Sequence, residues 1–354
     1  MGSCPQTKTT TSTMKSTTHP RSTFSRENQI FHFIFERLQV RPVASGKTVP
    51  IHQKTDRVPY ISQWQLHRWL IFYGCVVFTT HHLYAWWAGR NLAPLSVFAF
   101  YSAAHGLVSL HGLHIICRLG HTVGYLESWK RPRDDVRAEQ ISSFMISLIT
   151  IYFVRPILPF YLSYRSDQLP LLSIPWWRLF PAIGIYSLVL DFWFYWYHRA
   201  MHEVRFLRRY HRAHHESHHP SPLFLLAFDA EEGFCTIVVM PLITWLSLHA
   251  VGFSLGFYEW WVCNGYVAFS EFAGHAGLRV YAPAPSPFNA ILERLGMETI
   301  MEDHDVHHRL GWRVSGNYGK LSRVWDRLFG TCRERVECVE GNIDYDDRVA
   351  LPIY

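Results

Sequence analysis

Residues 191–215 read DFWFYWYHRAMHEVRFLRRYHRAHH, an aromatic, apolar run that passes directly into two histidine clusters. The first is H-x-x-x-H, His198 and His202. The second is H-x-x-H-H, His211, His214 and His215. On a helix, residues i and i+4 share a face, and i, i+3, i+4 form a patch one turn long. Each cluster can therefore aim its imidazoles at one point. A third cluster follows at His304, His307 and His308, with His275 between them in F-A-G-H-A-G. A lone histidine is more often a satisfied polar residue than a ligand, but repeated clusters shift that balance. The nine imidazoles exceed the needs of one tetrahedral zinc. They suit a pair of first-row transition metals held mainly by imidazole. His218 and His219 extend the second cluster, but Pro220 follows and breaks the helix, so they are read as lying beside the ligand set.

Two acids belong to the same reading. Asp191 lies on one helical stripe with Tyr195, His198 and His202. It is placed to orient a ligand imidazole by accepting its second N–H, or else to make an interhelical hydrogen bond. Glu271 precedes His275 by four residues. Three roles fit it: fixing the tautomer of His275, binding metal directly, or pairing with an arginine. His81, His82, His105, His111 and His114 lie in apolar stretches without a third partner and are read as packing residues.

The surrounding sequence is that of a membrane protein. Of 354 residues, 49% are hydrophobic, and 14 are Trp; the mean hydropathy near zero averages a polar tail with apolar spans. Spans of about 20 residues are expected from Arg68 to Leu83 with its Tyr-Ala-Trp-Trp extension, and over Leu95–Cys117, Ile141–Tyr164 and Trp177–Tyr197. Arg155 and Arg178 fall inside them and must pair or reach the interface. The 118–140 loop and the segment after the fourth span are rich in arginine, which places both, with the histidines, on the cytosolic side. The apolar region 234–274 must start and end on that side, as two crossings or as a re-entrant or packed hairpin. Residues 30–38 either lie on the membrane surface or pack on the domain. The seven cysteines show no paired spacing and read as reduced thiols or packing residues.

The expected fold is thus an all-α integral membrane protein. It has about four transmembrane helices, a membrane-packed hairpin and a cytosolic helical cap carrying a histidine-rich di-metal site. Residues 1–27 are expected to be a disordered Ser/Thr-rich tail, 28–140 an N-terminal membrane region, 141–335 the catalytic domain and 336–354 a C-terminal tail. No nucleic-acid partner is expected.

The order and spacing of the three clusters resemble the fatty acid hydroxylase superfamily, also called the sterol desaturase family, over about residues 140–335. Pro220-Ser221-Pro222, Ala227-Phe228, Glu232-Gly233, Gly316-Asn317-Tyr318-Gly319 and Trp325-Asp326-Arg327-Leu328 before Gly330 are similar in order to sterol C-5 desaturases. The resemblance implies a multi-pass endoplasmic-reticulum enzyme whose histidines hold two iron ions facing the cytosol. It implies dioxygen as oxidant, and electrons from NAD(P)H through a separate cytochrome b5 and its reductase. The implied reaction is hydroxylation or desaturation of a sterol or other lipid-like substrate, terpenoids included. The alternative within the family is a fatty-acyl or sphingoid-base hydroxylase. A reading of another class is a membrane zinc transporter or metal-binding protein. The chain departs from the pattern at Leu226 and Asp229, where sterol C-5 desaturases tend to carry histidine. It departs again at Glu271, where fatty acid hydroxylases tend to carry one.

Overall fold

The computed structural model describes residues 13–15, 26–42, 47–137, 140–313 and 315–354. Most of the expected 1–27 tail lies outside the described residues. Apolar periodicity builds a mainly helical body. Its main helices are α1 (Arg26–Leu38), α2 (Gln63–Ala88), α3 (Pro94–Val123), α4 (Ile141–Val154) and α5 (Ile157–Ser163). They continue with α6 (Trp176–Glu203), α7 (Arg208–His211), α8 (Ala230–Phe234), α9 (Met240–Ala250), α10 (Phe257–Gly274), α11 (Met301–Leu310) and α12 (Val324–Phe329). Two small ribbons qualify the all-α expectation. β1 (Thr13–Lys15) pairs antiparallel with β2 (Thr48–Pro50), and β3 (Val58–Tyr60) pairs parallel with β4 (Ile343–Arg348).

Three helical stretches are long and apolar enough to cross a membrane: Ile141–Ser163, Trp176–Glu203 and Ala230–Ala250. The first two match expected spans. Helices α2 and α3 form where two more were expected. Polar residues such as His67, Arg68, His81 and His82 in α2, and His111, His114, Arg118 and His121 in α3, dilute their hydropathy, and neither is among the three. The 234–274 region is a helical hairpin. It runs through α8, a π turn at Cys235–Val239 and α9, then returns along α10 to His275. The two arginines inside the expected spans are paired, Arg155 with Glu271 at 2.7 Å and Arg178 with Glu259 at 2.6 Å.

The main core lies where α2, α3, α4 and α10 meet, around Trp69, Leu113, Ile116, Phe144, Phe269 and Phe272. Phe35 of α1 joins it, while Ile30 and Phe33 stay exposed, so α1 packs on the body by one face. His81 bonds Tyr101 and Asn91, His111 the Ile353 carbonyl and His114 the Leu38 carbonyl, as packing residues do. The last residues are docked too: Leu351 is fully buried, its carbonyl accepts from Arg68, and the Ile353 carbonyl accepts from Tyr73. Trp177 and the histidines occupy opposite ends of α6, about 30 Å apart at 1.5 Å per residue. Trp86, Trp87, Tyr161 and Trp177 are highly exposed, as aromatic residues at a membrane interface are.

Candidate metal centre

Helix α6 carries His198 and His202 on its last turns, and α7 with the short 3-10 turn His214–Glu216 brings His211, His214 and His215 back against them. The hairpin delivers His275, and α11 delivers His304, His307 and His308. The nine imidazoles converge in two groups. One holds His198, His202, His211, His215 and His307; the other holds His214, His275, His304 and His308. Within each group the ligand atoms lie within 4.8 Å of one another. Each H-x-x-H-H motif is thereby split. Its i, i+4 pair joins one group and its middle histidine crosses to the other.

Seven of the nine outward nitrogens are committed. Six Nδ1–H groups face backbone carbonyls: His198 to Tyr318 (2.8 Å), His202 to Trp312 (3.0 Å), His214 to Ala227 (3.3 Å), His275 to Glu271 (2.7 Å), His307 to Gly316 (2.8 Å) and His308 to Ser217 (3.1 Å). His211 turns Nδ1 to the Glu232 carboxylate at 2.5 Å. Carbonyls only accept, so His214 and His275 carry their protons on Nδ1. Yet their Nε2 atoms face each other at 3.2 Å, with no proton to share. In the other group His198, whose Nδ1 also faces a carbonyl, sets its Nε2 2.9 Å from that of His211. Converging lone pairs of this kind fit a cation between them. Metal–imidazole bonds of about 2.0–2.1 Å meeting at right angles would set such nitrogens about 2.9 Å apart, and a group of five goes beyond tetrahedral coordination. Burial, followed by repulsion from neighbouring imidazoles, holds His211, His214, His215, His304, His307 and His308 well below the usual histidine pKa. Burial brings His275 to about 4. The rings are neutral, as ligation requires.

The loop after α11 explains the similar motifs downstream. Gly316 and Tyr318 supply carbonyls to His307 and His198. Asp326 pins that loop by accepting the Tyr318 and Gly319 N–H groups, both at 2.8 Å. A Cβ on Gly319 would lie 2.4 Å from the Ser322 carbonyl, so this turn needs glycine.

Asp191 corrects the sequence reading. Its carboxylate accepts from the backbone of Lys320, Leu321 and Ser322 and from the Ser322 hydroxyl, and from none of the imidazoles. It acts one step further out, by holding the loop that orients His198. For Glu271 the structure selects one of the three roles left open. Its carboxylate takes Arg155 at 2.7 Å and Lys320 at 2.6 Å, while its backbone carbonyl, not its side chain, fixes His275. The arginine-pair reading is the one observed. His218 is exposed; His219 is buried, 3.8 Å from Glu127, and neither joins the two groups.

Glu232 was missed as a site residue, although it stands in a quoted motif; its separation of 21 residues from His211 gives no local signal. The acids of α11 were missed as well. Asp305 pairs with Arg133 and Arg309, and Glu302 accepts the backbone N–H groups of Val336, Glu337 and Cys338. Arg133, counted in sequence among the charges that set orientation, is fully buried in this clamp. It packs on Gly277 (φ +56°), where a Cβ would meet its guanidinium.

A cavity of about 110 Å³ adjoins both groups. Leu66, Ile151, Phe194, Phe228, Ile237, Phe269 and Met301 line it, with His198, His211, His214, His275 and His304 at one wall.

The fatty acid hydroxylase profile matches residues 183–331. A fatty acid hydroxylase of Lecanicillium sp is 35% identical over 327 residues, 88% of each chain. A very-long-chain aldehyde decarbonylase of Oryza sativa subsp. indica is 27% identical over 254 residues, 69% of this chain and 86% of the relative. A Delta(7)-sterol 5(6)-desaturase of Aspergillus fumigatus is 27% identical over 206 residues, 56% of this chain and 49% of the relative. No solved structure matches. With its split histidine motifs and this likeness along most of its length, the chain belongs to the fatty acid hydroxylase superfamily.

Proposed function

We propose that the chain is a membrane-bound non-haem di-iron oxidoreductase that uses dioxygen to hydroxylate or desaturate a lipid-like substrate, a sterol or terpenoid included. The observation that carries this reading is the pair of histidine groups in which seven of nine outward nitrogens are committed to hydrogen bonds while the Nε2 atoms converge on one another. His198, His202, His211, His215 and His307 would hold one iron, and His214, His275, His304 and His308 the other. Iron bound there would supply the redox chemistry for cleaving an unactivated C–H bond with dioxygen. The protein's own part is to orient the imidazoles through the 316–322 loop and Glu232, and to keep water from an apolar cavity beside them. We take 141–335 as the catalytic region, in an endoplasmic-reticulum membrane with the histidines toward the cytosol.

Electrons would come from NAD(P)H through cytochrome b5 and its reductase. Arg205 and Arg209 are exposed beside the histidine clusters and suit an acidic partner, whereas Arg208 is turned to the His202 carbonyl, Arg323 to Asp303 and Arg327 to the Gly296 carbonyl. The long match to a protein named as a fatty acid hydroxylase favours a second reading, a fatty-acyl substrate. The transporter reading draws no support from the site, which lies at the end of α6 beside a largely apolar cavity. Metal analysis of the purified protein with substrate-dependent oxygen uptake tests the proposal. Two irons per chain and oxygen uptake are expected; zinc without oxygen uptake would overturn it. Lipid and sterol profiling of a deletion strain would then identify the substrate class.

A further inference from the structure

The cavity wall carries a charged triad that the metal reading does not use. Arg155 Nη2 and Lys320 Nζ both donate to Glu271, and all three side chains line the cavity and are largely buried. Arg155 stands at the break between α4 and α5, inside a stretch apolar enough to span a membrane. A charge in such a place is expensive and calls for a function. Two cations face one carboxylate, so one positive charge is left over. Most of the N–H donors of the arginine and lysine also remain available, since each side chain gives a single hydrogen bond to Glu271 among the described residues. Of the other polar groups in the wall, Ser270 and Thr236 bond carbonyls of their own helices, and Glu232 takes His211 through one oxygen and leaves the other without a partner, an acceptor that gives an anion no donor. The remaining lining is mostly apolar.

We propose that Arg155 and Lys320, set against Glu271, anchor the oxygen-bearing end of an otherwise apolar substrate, most tightly a carboxylate. The inference rests on the lipid-oxidising reading of the site and adds the polar end of the substrate to it. It also implies a position for the reaction. Glu271 lies one helical turn, about 6 Å, before His275, and Lys320 packs over the Phe194 ring at 4.1 Å, with Phe194 itself against His198. The anchored end therefore lies close to the histidines, and the carbon attacked stands within a few bonds of the oxygen.

The test is equilibrium binding of hexadecanoate, hexadecanol and hexadecane to the iron-loaded protein in nanodiscs, against empty nanodiscs, with iron content read on the same samples. Affinity should fall in the order carboxylate, alcohol, alkane. Lys320→Met and Arg155→Met should each weaken hexadecanoate about tenfold or more and leave hexadecane unchanged, while Lys320→Arg retains binding. Glu271→Gln keeps the shape and an acceptor oxygen but frees a positive charge, so hexadecanoate should bind more tightly. A triad that merely braces the fold would make all three removals harmful, and would move hexadecane with hexadecanoate; either result overturns the proposal. The order persisting in a protein that takes no iron would leave the anchor standing and sink the di-iron reading. An iron-loaded protein with no preference among the probes would do the reverse. If Arg155→Met does not fold, Lys320→Met and Glu271→Gln carry the opposite-sign comparison alone.

Discussion

Removing the Glu232 carboxylate should cost one metal and spare the other. The His211–Glu232 contact is short, 2.5 Å, with both side chains buried to within 6% exposure. Glu232→Ala leaves His211 with a buried Nδ1–H and no acceptor, which costs about 1–3 kcal/mol, and frees the ring to rotate away from His198. Loss of such an orienting partner typically lowers metal affinity ten- to a hundredfold, or about 1.4–2.8 kcal/mol. His211 belongs to the five-histidine group, and the four-histidine group keeps its own carbonyl partners at Ala227, Glu271 and Ser217. A chelator titration followed by iron analysis should therefore resolve two steps in Glu232→Ala, one near the wild-type midpoint and one ten- to a hundredfold weaker. Glu232→Gln keeps an acceptor oxygen for the Nδ1–H but loses the charge assistance, and should fall between. Unchanged titration of both irons in Glu232→Ala, with a normal melt, would refute the reasoning.

Other substitutions separate the groups. His307→Ala should release iron from the five-histidine group and His214→Ala from the four-histidine group, with turnover lost in both, whereas exposed His218→Ala should keep both irons. Asp191→Asn puts an amide where four donors converge. It should lower the melting temperature by the equivalent of about 1–3 kcal/mol and lower iron affinity less than Glu232→Ala, as read by calorimetry and the same titration. The pH dependence has a definite sign. His275 titrates at about 4 when folded against 6.5 when free, so between these values the unfolded chain binds more protons and stability rises with pH. Stability and iron retention of the purified protein should be full above about 6.5 and should fall as pH drops from there toward 4; iron held unchanged at pH 4.5 would contradict this.

Local spacing was enough to select the nine histidines, because i, i+3 and i+4 relations are properties of one helix turn and need no tertiary information. The long apolar stretches made the helices and the hairpin legible for the same reason. Local spacing could not divide the nine. His304 and His308 go to one group and His307 to the other according to which imidazoles the other elements bring to each side of α11, a helix tied to the 118–140 loop by the buried Arg133–Asp305 pair. Nor could it assign the acids. Asp191 and Glu271 stand at suggestive offsets from a histidine and Glu232 at none, but a carboxylate bonds whatever donor packing brings to it. Packing brought the 320–322 loop to Asp191, His211 to Glu232, and Arg155 with Lys320 to Glu271. The ligand set was written in short-range periodicity; the orientation of its rings and the polar end of its cavity were decided by contacts between residues 4 to 131 positions apart, most of them on different elements.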